Sequence, residues 1–423
     1  MATLTEGNVS RRIFAFAWPL LVGNVFHHLY HLVDSIIVGK YLGKEALAGM
    51  IASAQVSMVV IALVVGFGIG GTVVVAQFYG AGNRQKVRQT CDTVTLFMLG
   101  ASLVLGAIGM LCCDSILQLI QLPPESVGYA KPFLYVYFGG MFTMFGYNAT
   151  SSLLRGIGDS TTPLYALIVS SVVNIGLDLL FVLVLDGGTG AVALATVLAQ
   201  GVSWLFIIVY ARRKAMLLSF NILRARFSVD IFWQTLRIGL PSGFQQTFVA
   251  IGMTALFGII NTFGVDVSAA YGAATRIELF ATLPAMSFAL ALSTFVGQNM
   301  GAGNMARVRA GLRSTMLMVG AATVGITLLL VLLREPLIGL FTDAANASVI
   351  HIGSEYIAIV GSFYLVFACM FVLNGLHRGA GASLVPMLIT LLSLWVVRIP
   401  VAYVLSRSET LGYLGAFWAV PVA

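Results

Sequence analysis

The run Leu164–Leu185, LYALIVSSVVNIGLDLLFVLVL, decides how this chain is read. It is long enough to cross the hydrocarbon core of a bilayer, which takes about 20 residues. Yet it carries Asn174 and Asp178 at its middle. Four residues apart, the two side chains share one helical face, about one turn from each other. An aspartate at the centre of a spanning helix costs roughly 2.5–3.5 kcal/mol on insertion scales. A charge kept at that cost marks an ion or proton site by default. The plainer reading is an aspartate that only hydrogen-bonds neighbouring helices.

The whole chain agrees with a membrane setting. Of its 423 residues 59% are apolar and 9% charged, with 45 glycines. Soluble domains carry about 25% charge, whereas glycine is common in spanning helices and lets their backbones approach. The net charge of +7 comes from Lys and Arg scattered over short loops, with no basic-aromatic surface for nucleic acid. Cys91, Cys112, Cys113 and Cys369 form no CxxC pair, so neither a disulfide framework nor a zinc site is expected. Met1 to Ser10 is polar, and Arg11-Arg12 leads into a full-length apolar run rather than a cleavable signal.

Twelve apolar runs follow one another: 13–38, 47–77, 94–120, 129–153, 164–185, 191–210, 240–263, 267–298, 314–333, 350–376, 384–405, and a last one from Leu411. They predict an all-α integral membrane protein of twelve transmembrane helices. The stretch from Leu411 to Ala423 is too short to cross, which predicts a truncated final helix. With the N-terminus inside, the inner loops hold most of the basic residues, among them Arg11, Arg12, Arg84, Lys86, Arg88, Arg212, Arg213, Lys214, Arg224, Arg226, Arg237, Arg307, Arg309 and Arg313, with Arg155 and Arg378. The outer loops hold only Lys40, Lys44, Lys131, Arg334 and Arg407. That asymmetry makes the N-terminus cytoplasmic in a multi-pass plasma (inner) membrane protein.

The chain also repeats itself. Gln77-Phe78-Tyr79-Gly80-Ala81-Gly82-Asn83 matches Gln298-Asn299-Met300-Gly301-Ala302-Gly303-Asn304, Arg155-Gly156-Ile157-Gly158 matches Arg378-Gly379-Ala380-Gly381, and Pro19 matches Pro241. The expected organisation is an N-lobe over residues 1–211, a cytoplasmic linker over 212–230 and a C-lobe over 231–423. Each lobe holds six helices, an even number, so the lobes form a parallel repeat about a pseudo-two-fold along the membrane normal. The interface of such halves is where a substrate path is expected.

Other polar residues in the runs carry the same pair of readings. Asn24, His27, His31 and Asp34 fall roughly on one face of the first span and end in a carboxylate. The His27–His31 spacing fits a metal, but a lone pair of this kind is weak evidence. Two carboxylates brought together away from water repel each other. If Asp34 and Asp178 converge, they could take up a proton or hold Na⁺ with Asn174 and a hydroxyl such as that of Thr196. Threonine in a membrane helix more often bonds its own backbone. Arg276 and Glu278, two apart in the eighth span, point to different sides, so substrate contact, gating and an inter-helix salt bridge all remain open. His351 and Glu355 read as a local pair, and Arg398 as a buried cation with an unknown partner. Gly66-Phe67-Gly68-Ile69-Gly70-Gly71 matches a dinucleotide fingerprint literally, yet it sits inside a span, where close helix packing explains it.

Jointly, Pro19, Asn24, Val33-Asp34, the two Gly-Ala-Gly-Asn loops, Leu154-Arg155-Gly156-Ile157-Gly158-Asp159 and Asn174-xxx-Asp178 resemble the multidrug and toxic compound extrusion (MATE) transporters over essentially the whole chain. The resemblance implies two six-helix lobes around a central cleft and export driven by Na⁺ or H⁺ antiport. Members with an N-lobe cation site use a first-span Asp, an Asn-xxx-Asp in span five and a Thr in span six. Those match Asp34, Asn174, Asp178 and Thr196, while His27, His28 and His31 lie outside the pattern. The repeat sets Val397 and Val401 opposite Asn174 and Asp178, so the cation constellation is expected in one lobe only. The expected activity is cation-coupled export of amphipathic, often cationic drugs or metabolites by a monomer, without cofactor or enzymatic chemistry. The rival is a flippase for a lipid-linked precursor on a related fold, which calls for several cations in the cleft. Asp-rich prenyl transferase motifs and an HExxH metal motif are absent from the sequence.

Overall fold

The computed structural model describes residues 4–213, 225–342 and 346–423, apart from the side chains of His31, Leu63 and Arg212. Lys214 and Arg224, assigned above to an inner loop, lie outside the described residues. The described chain is helical throughout, without strands.

Each apolar run becomes a helix. In the first half these are α1 (Val9–Leu42), α2 (Lys44–Gly80), α3 (Arg84–Leu111), α4 in two pieces (Pro124–Gly139 and Met141–Gly156), α5 (Thr161–Val184) and α6 (Thr189–Arg213). The second half has α7 (Val229–Asn261), α8 (Val265–Gly301), α9 (Met305–Leu332), α10 in two pieces (Ala347–Gly361 and Tyr364–Gly379), α11 (Leu384–Leu405) and α12 (Tyr413–Val422). Among the described residues nine of these are singly long and apolar enough to cross a membrane, and the two pieces of α10, bent by 52°, make a tenth. The break in α4 falls at Gly140, where the incoming Val197 side chain leaves no room for a Cβ. Three spans change pitch, among them α11, which is π-helical over Leu392–Arg398. Directly after the carboxylates of interest, α1 turns π-helical over Val38–Leu42 and α5 over Leu180–Val184. Such segments recur at functional sites.

Contacts divide the chain into two compact units. One comprises Trp18–Gly243 with the segment ending at Glu6 and with Gly297–Gly303; the other comprises Gly7–Ala17, Phe244–Val296 and Asn304–Ala423.

The first unit has its core where α2, α3, α4 and α6 meet, around Met98, Leu134, Met141, Leu153 and Ile207, all nearly inaccessible. The glycine stretch in α2 explains itself here. A Cβ on Gly66 would collide with Gly243 of α7, and one on Gly70 with the Thr235 carbonyl. The helices cross backbone to backbone, and Phe67, Phe97 and Phe232 close the space beside the crossing. The described end of the link docks on α3: Ser228 N donates to Thr93 Oγ1 at 3.1 Å. In the second unit Tyr271, Tyr356 and Phe417 stack edge to face at the centre of a core that also takes in Leu256, Ile260 and Val360.

The repeat read from the sequence holds at the level of atoms. Asn83 caps α3 by accepting from Lys86 N at 3.0 Å, and Asn304 caps α9 by accepting from Arg307 N at 3.1 Å. Both follow a glycine at φ +71°, a conformation that costs glycine little. Gly156 packs on Thr72 and Val75 of α2; Gly379 packs on Ser293 and Val296 of α8. At the ends of α2 and α8 the likeness becomes mutual contact. A Cβ on Gly80 would strike the Gln298 carbonyl, and a Cβ on Gly301 the Gln77 carbonyl. Arg155 and Arg378, read above as loop residues, turn inward: Arg155 donates to Ser152 Oγ at 2.9 Å, and Arg378 to Gln245 Oε1 at 2.7 Å.

Candidate functional site

The site grows from the face of α5. Pro163, Ala166, Leu167, Ser170, Ser171, Asn174 and Asp178 are buried at three- and four-residue steps, which makes one continuous stripe. Val172, 68% exposed, and Tyr165 look away from it. Asp159 starts the helix by accepting from Thr161 N at 3.0 Å and Thr162 N at 2.9 Å, in the manner of an N-cap. The buried stripe lies against α6 in an antiparallel ladder. Ser203 Oγ donates to the Ala166 carbonyl at 2.6 Å, and Asn174 Nδ2 reaches Thr196 Oγ1 at 3.5 Å.

Asp34 of α1 closes the arrangement. It is 6% exposed and Asp178 is 0% exposed, and the two carboxyl groups stand side by side, each acting on the other. Neither oxygen of Asp178, nor Oδ1 of Asp34, nor Oδ1 of Asn174 has a hydrogen-bond partner. All four are acceptors. Buried acceptors without donors are rare and costly, about 1–3 kcal/mol each or more when charged. Two ionised carboxylates cannot satisfy each other, because neither has a proton to give. A proton shared by the acids, a water molecule or a cation would each supply what these oxygens lack. Above the pair, Ile37 and Val38 of α1 pack with Val182 of α5 and Val192 of α6 in a small apolar cluster that separates it from the helix ends.

Of the residues singled out in the sequence, Asp34, Asn174, Asp178 and Thr196 come together. Thr196 Oγ1 also donates to the Val192 carbonyl at 3.2 Å, the backbone habit expected of a threonine in a spanning helix. Asn24 sits half-buried on α1, ten residues before Asp34 and away from the pair. His27 is exposed, with its ring against His28 and Tyr30. The His31 side chain lies outside the described residues. No cluster of three His, Cys, Asp or Glu capable of holding a metal occurs among the described residues.

Four contributors escaped the sequence reading. Tyr30, Ser170, Ser171 and Gln200 line a pocket with Asn174 and Thr196. Their signal was spacing. Tyr30, Ser170 and Gln200 each stand four residues, one helical turn, from Asp34, Asn174 and Thr196.

The second unit buries charge differently. Glu278 accepts from the Tyr356 hydroxyl at 2.6 Å, while Arg276 is exposed on another side of α8. Arg398 finds its partner in the Val420 carbonyl at 3.3 Å. His351 and Glu355 pair at 3.7 Å, and Tyr413 adds a hydrogen bond to the same carboxylate at 2.9 Å.

Comparison with known proteins agrees with this architecture. The model of the MatE family matches twice, over residues 19–180 and 241–404. The two matches begin at Pro19 and Pro241, the prolines that mark the repeat. A probable multidrug resistance protein, YpnP of Bacillus subtilis, is 30% identical over 400 residues, covering 94% of this chain and 88% of its own length. The probable multidrug resistance protein NorM of Thermotoga maritima is 28% identical, covering 97% and 88%. Among solved structures, an outward-facing multidrug resistance MATE family transporter of the MOP superfamily superposes with a TM-score of 0.93 at 23% identity, covering 99% of this chain and 93% of that one. A MOP superfamily transporter from Pyrococcus furiosus gives 0.89 at 24%, covering 99% and 93%.

Proposed function

Because this chain belongs to the MatE family, we propose that it is a cation-coupled antiporter exporting amphipathic, often cationic compounds by alternating access. Its relatives named for multidrug resistance support the cargo class. The observation that carries the coupling is the set of donor-less acceptor oxygens at Asp34, Asn174 and Asp178. A cation arriving there relieves an electrostatic conflict, so it binds one arrangement of the helices better than another. A ligand shifts a conformational equilibrium only by that difference in affinity. The drive is adequate: one charge moving through about 100 mV is worth roughly 2.3 kcal/mol, or about a fifty-fold gradient.

The same reading sets the protein in the plasma (inner) membrane with a cytoplasmic N-terminus, working as a monomer without cofactor. Transport rather than catalysis follows from the family. A pyrophosphate-carrying lipid would need several cations along its path. In the second unit Arg378 and Arg398 are half-buried, and they donate to Gln245 and to the Val420 carbonyl.

Ethidium efflux from proteoliposomes, with a Na⁺ or pH gradient imposed one at a time, tests the reading. One of the two gradients drives the wild-type protein, and Asp34→Asn and Asp178→Asn lose the response at equal incorporation. Wild-type rates in both variants would overturn the assignment.

A further inference from the structure

We propose that Arg276 reads an anionic group on the cargo: the exposed face of α8 takes an oxyanion, a carboxylate or a phosphate, carried on an apolar body. This rests on the exporter reading above and adds a charge requirement to its cargo class.

Arg276 stands deep in its helix. Val265 opens α8, and Asp266 beside it is exposed. Arg276 comes about three turns later, or about 17 Å along the axis at 1.5 Å per residue. The hydrocarbon core is about 30 Å thick, so this places the residue near its middle. Arginines escape to the headgroups by snorkelling only near helix ends.

Its guanidinium has no counter-charge there. Arg276 is exposed, and among the described residues it makes no ion pair, hydrogen bond or ring contact. Glu278 does not neutralise it. That carboxylate accepts from the Tyr356 hydroxyl at 2.6 Å, and side chains two apart on a helix do not face each other. Arginine does not shed its proton, so the charge fronts either lipid or water. Charge against lipid at that depth is expensive. The helix is also an enclosed one: 61% of its most apolar stretch is buried, against 22% for α9 and 11% for α11. An uncovered strip on such a helix borders a water-filled path, which is where charged residues of spanning helices mark the route of a substrate.

The strip has the chemistry of a binding face. Leu279 and Phe280, three and four residues on, share the side of the helix with Arg276 and are exposed with it. They set an apolar platform beside a planar fork of donors. Such a fork holds a carboxylate or phosphate by two parallel bonds. The repeat spacing places Ala54 of α2 opposite Arg276, and Ala54 is exposed as well. The open strip therefore belongs to the duplicated scaffold, and the cation on it to the second repeat alone. A compound with cationic charge only is repelled by that guanidinium; one that also carries an oxyanion gains by it.

Rhodamine B, which has a free carboxylate, and its ethyl ester, which has none, are otherwise the same dye and test this. Fluorescence polarisation reads the Kd of each for the full-length protein in dodecyl maltoside. Arg276→Gln should weaken rhodamine B about tenfold, the loss of one charge-assisted pair, and weaken the ester by no more than roughly twofold. Arg276→Lys keeps the charge but not the fork, so its loss for rhodamine B falls between; should Arg276→Gln not fold, this variant decides by weakening rhodamine B alone. A change shared by both dyes, or absent from both, overturns the proposal, as does a wild-type protein that binds only the ester. Phosphatidylglycerol added to the detergent should not displace rhodamine B; displacement would give the site to a lipid headgroup and overturn the cargo assignment. Ethidium efflux is measured beside these. If the wild type answers to neither a Na⁺ nor a pH gradient, the exporter reading itself falls. If it answers to one while the two dyes shift together, only the role of Arg276 falls.

Discussion

Asn83 and Asn304 cap their helices with the same bond, and Gly156 and Gly379 seat themselves on the neighbouring helix in the same way. Where the first repeat holds Asp34, Asn174, Asp178 and Thr196, however, the repeat spacing sets Leu256, Val397, Val401 and Ala419 in the second. Leu256 and Ala419 are fully buried in an apolar core. The second repeat keeps its own carboxylate, Glu278, and has already satisfied it with the Tyr356 hydroxyl. The scaffold is thus duplicated and the electrostatic conflict is not. The first unit leaves acceptor oxygens of Asp34, Asn174 and Asp178 without donors, while in the second Glu278 accepts from Tyr356. What was copied is what makes helices turn and cross; what diverged is the polar chemistry their buried faces carry.

The largest effect expected from this difference is at the acids. Asp178→Asn supplies the missing donor from within the protein and should reduce gradient-driven ethidium efflux to the level of empty liposomes. Val401→Asp, at the matching place in the second unit, should not restore it, and restoration would break the comparison. Next come the glycines that make the ends of α2 and α8 meet. Gly80→Leu and Gly301→Leu should each destabilise by about 1–3 kcal/mol through overpacking, and by similar amounts, as read from Tm in detergent. Unequal losses would show that the crossing is less symmetric than its geometry. Glu278→Gln still accepts from Tyr356 but loses its charge, so it should cost about 1.5 kcal/mol at most and leave the ion dependence of efflux unchanged. A lost ion response would move the coupling to the second unit. The smallest effects are the caps: Asn83→Ala and Asn304→Ala should each cost about 1 kcal/mol, again alike, by the same thermal measurement.

Much of this was legible in the chain. Spans announce themselves because lipid tolerates few charges over about 20 residues. The repeat is carried by glycines and prolines whose backbone roles admit few substitutes. Asp34 and Asp178 stood out because charge in such a place is expensive. Gln200, Ser170 and Ser171 did not, since a neutral polar residue in a spanning helix costs far less and commonly bonds its own backbone, as Ser171 does here. Only the rotation of α5 against α6 decides which of them faces the acids, and no periodicity within one helix reports that. The partner of Arg398 was hidden for the same reason: it is a backbone carbonyl, that of Val420, which any residue type could have supplied.

The meeting of Gly80 with Gln298 and of Gly301 with Gln77 is bare main chain against main chain. The Gln298 side chain adds a tie of its own, donating to the Gly156 carbonyl at 2.9 Å and accepting from Leu4 N at 3.1 Å. Where main chain rests on main chain, the spacing is fixed by covalent geometry rather than by rotamers, so neither helix end can shift without carrying the other.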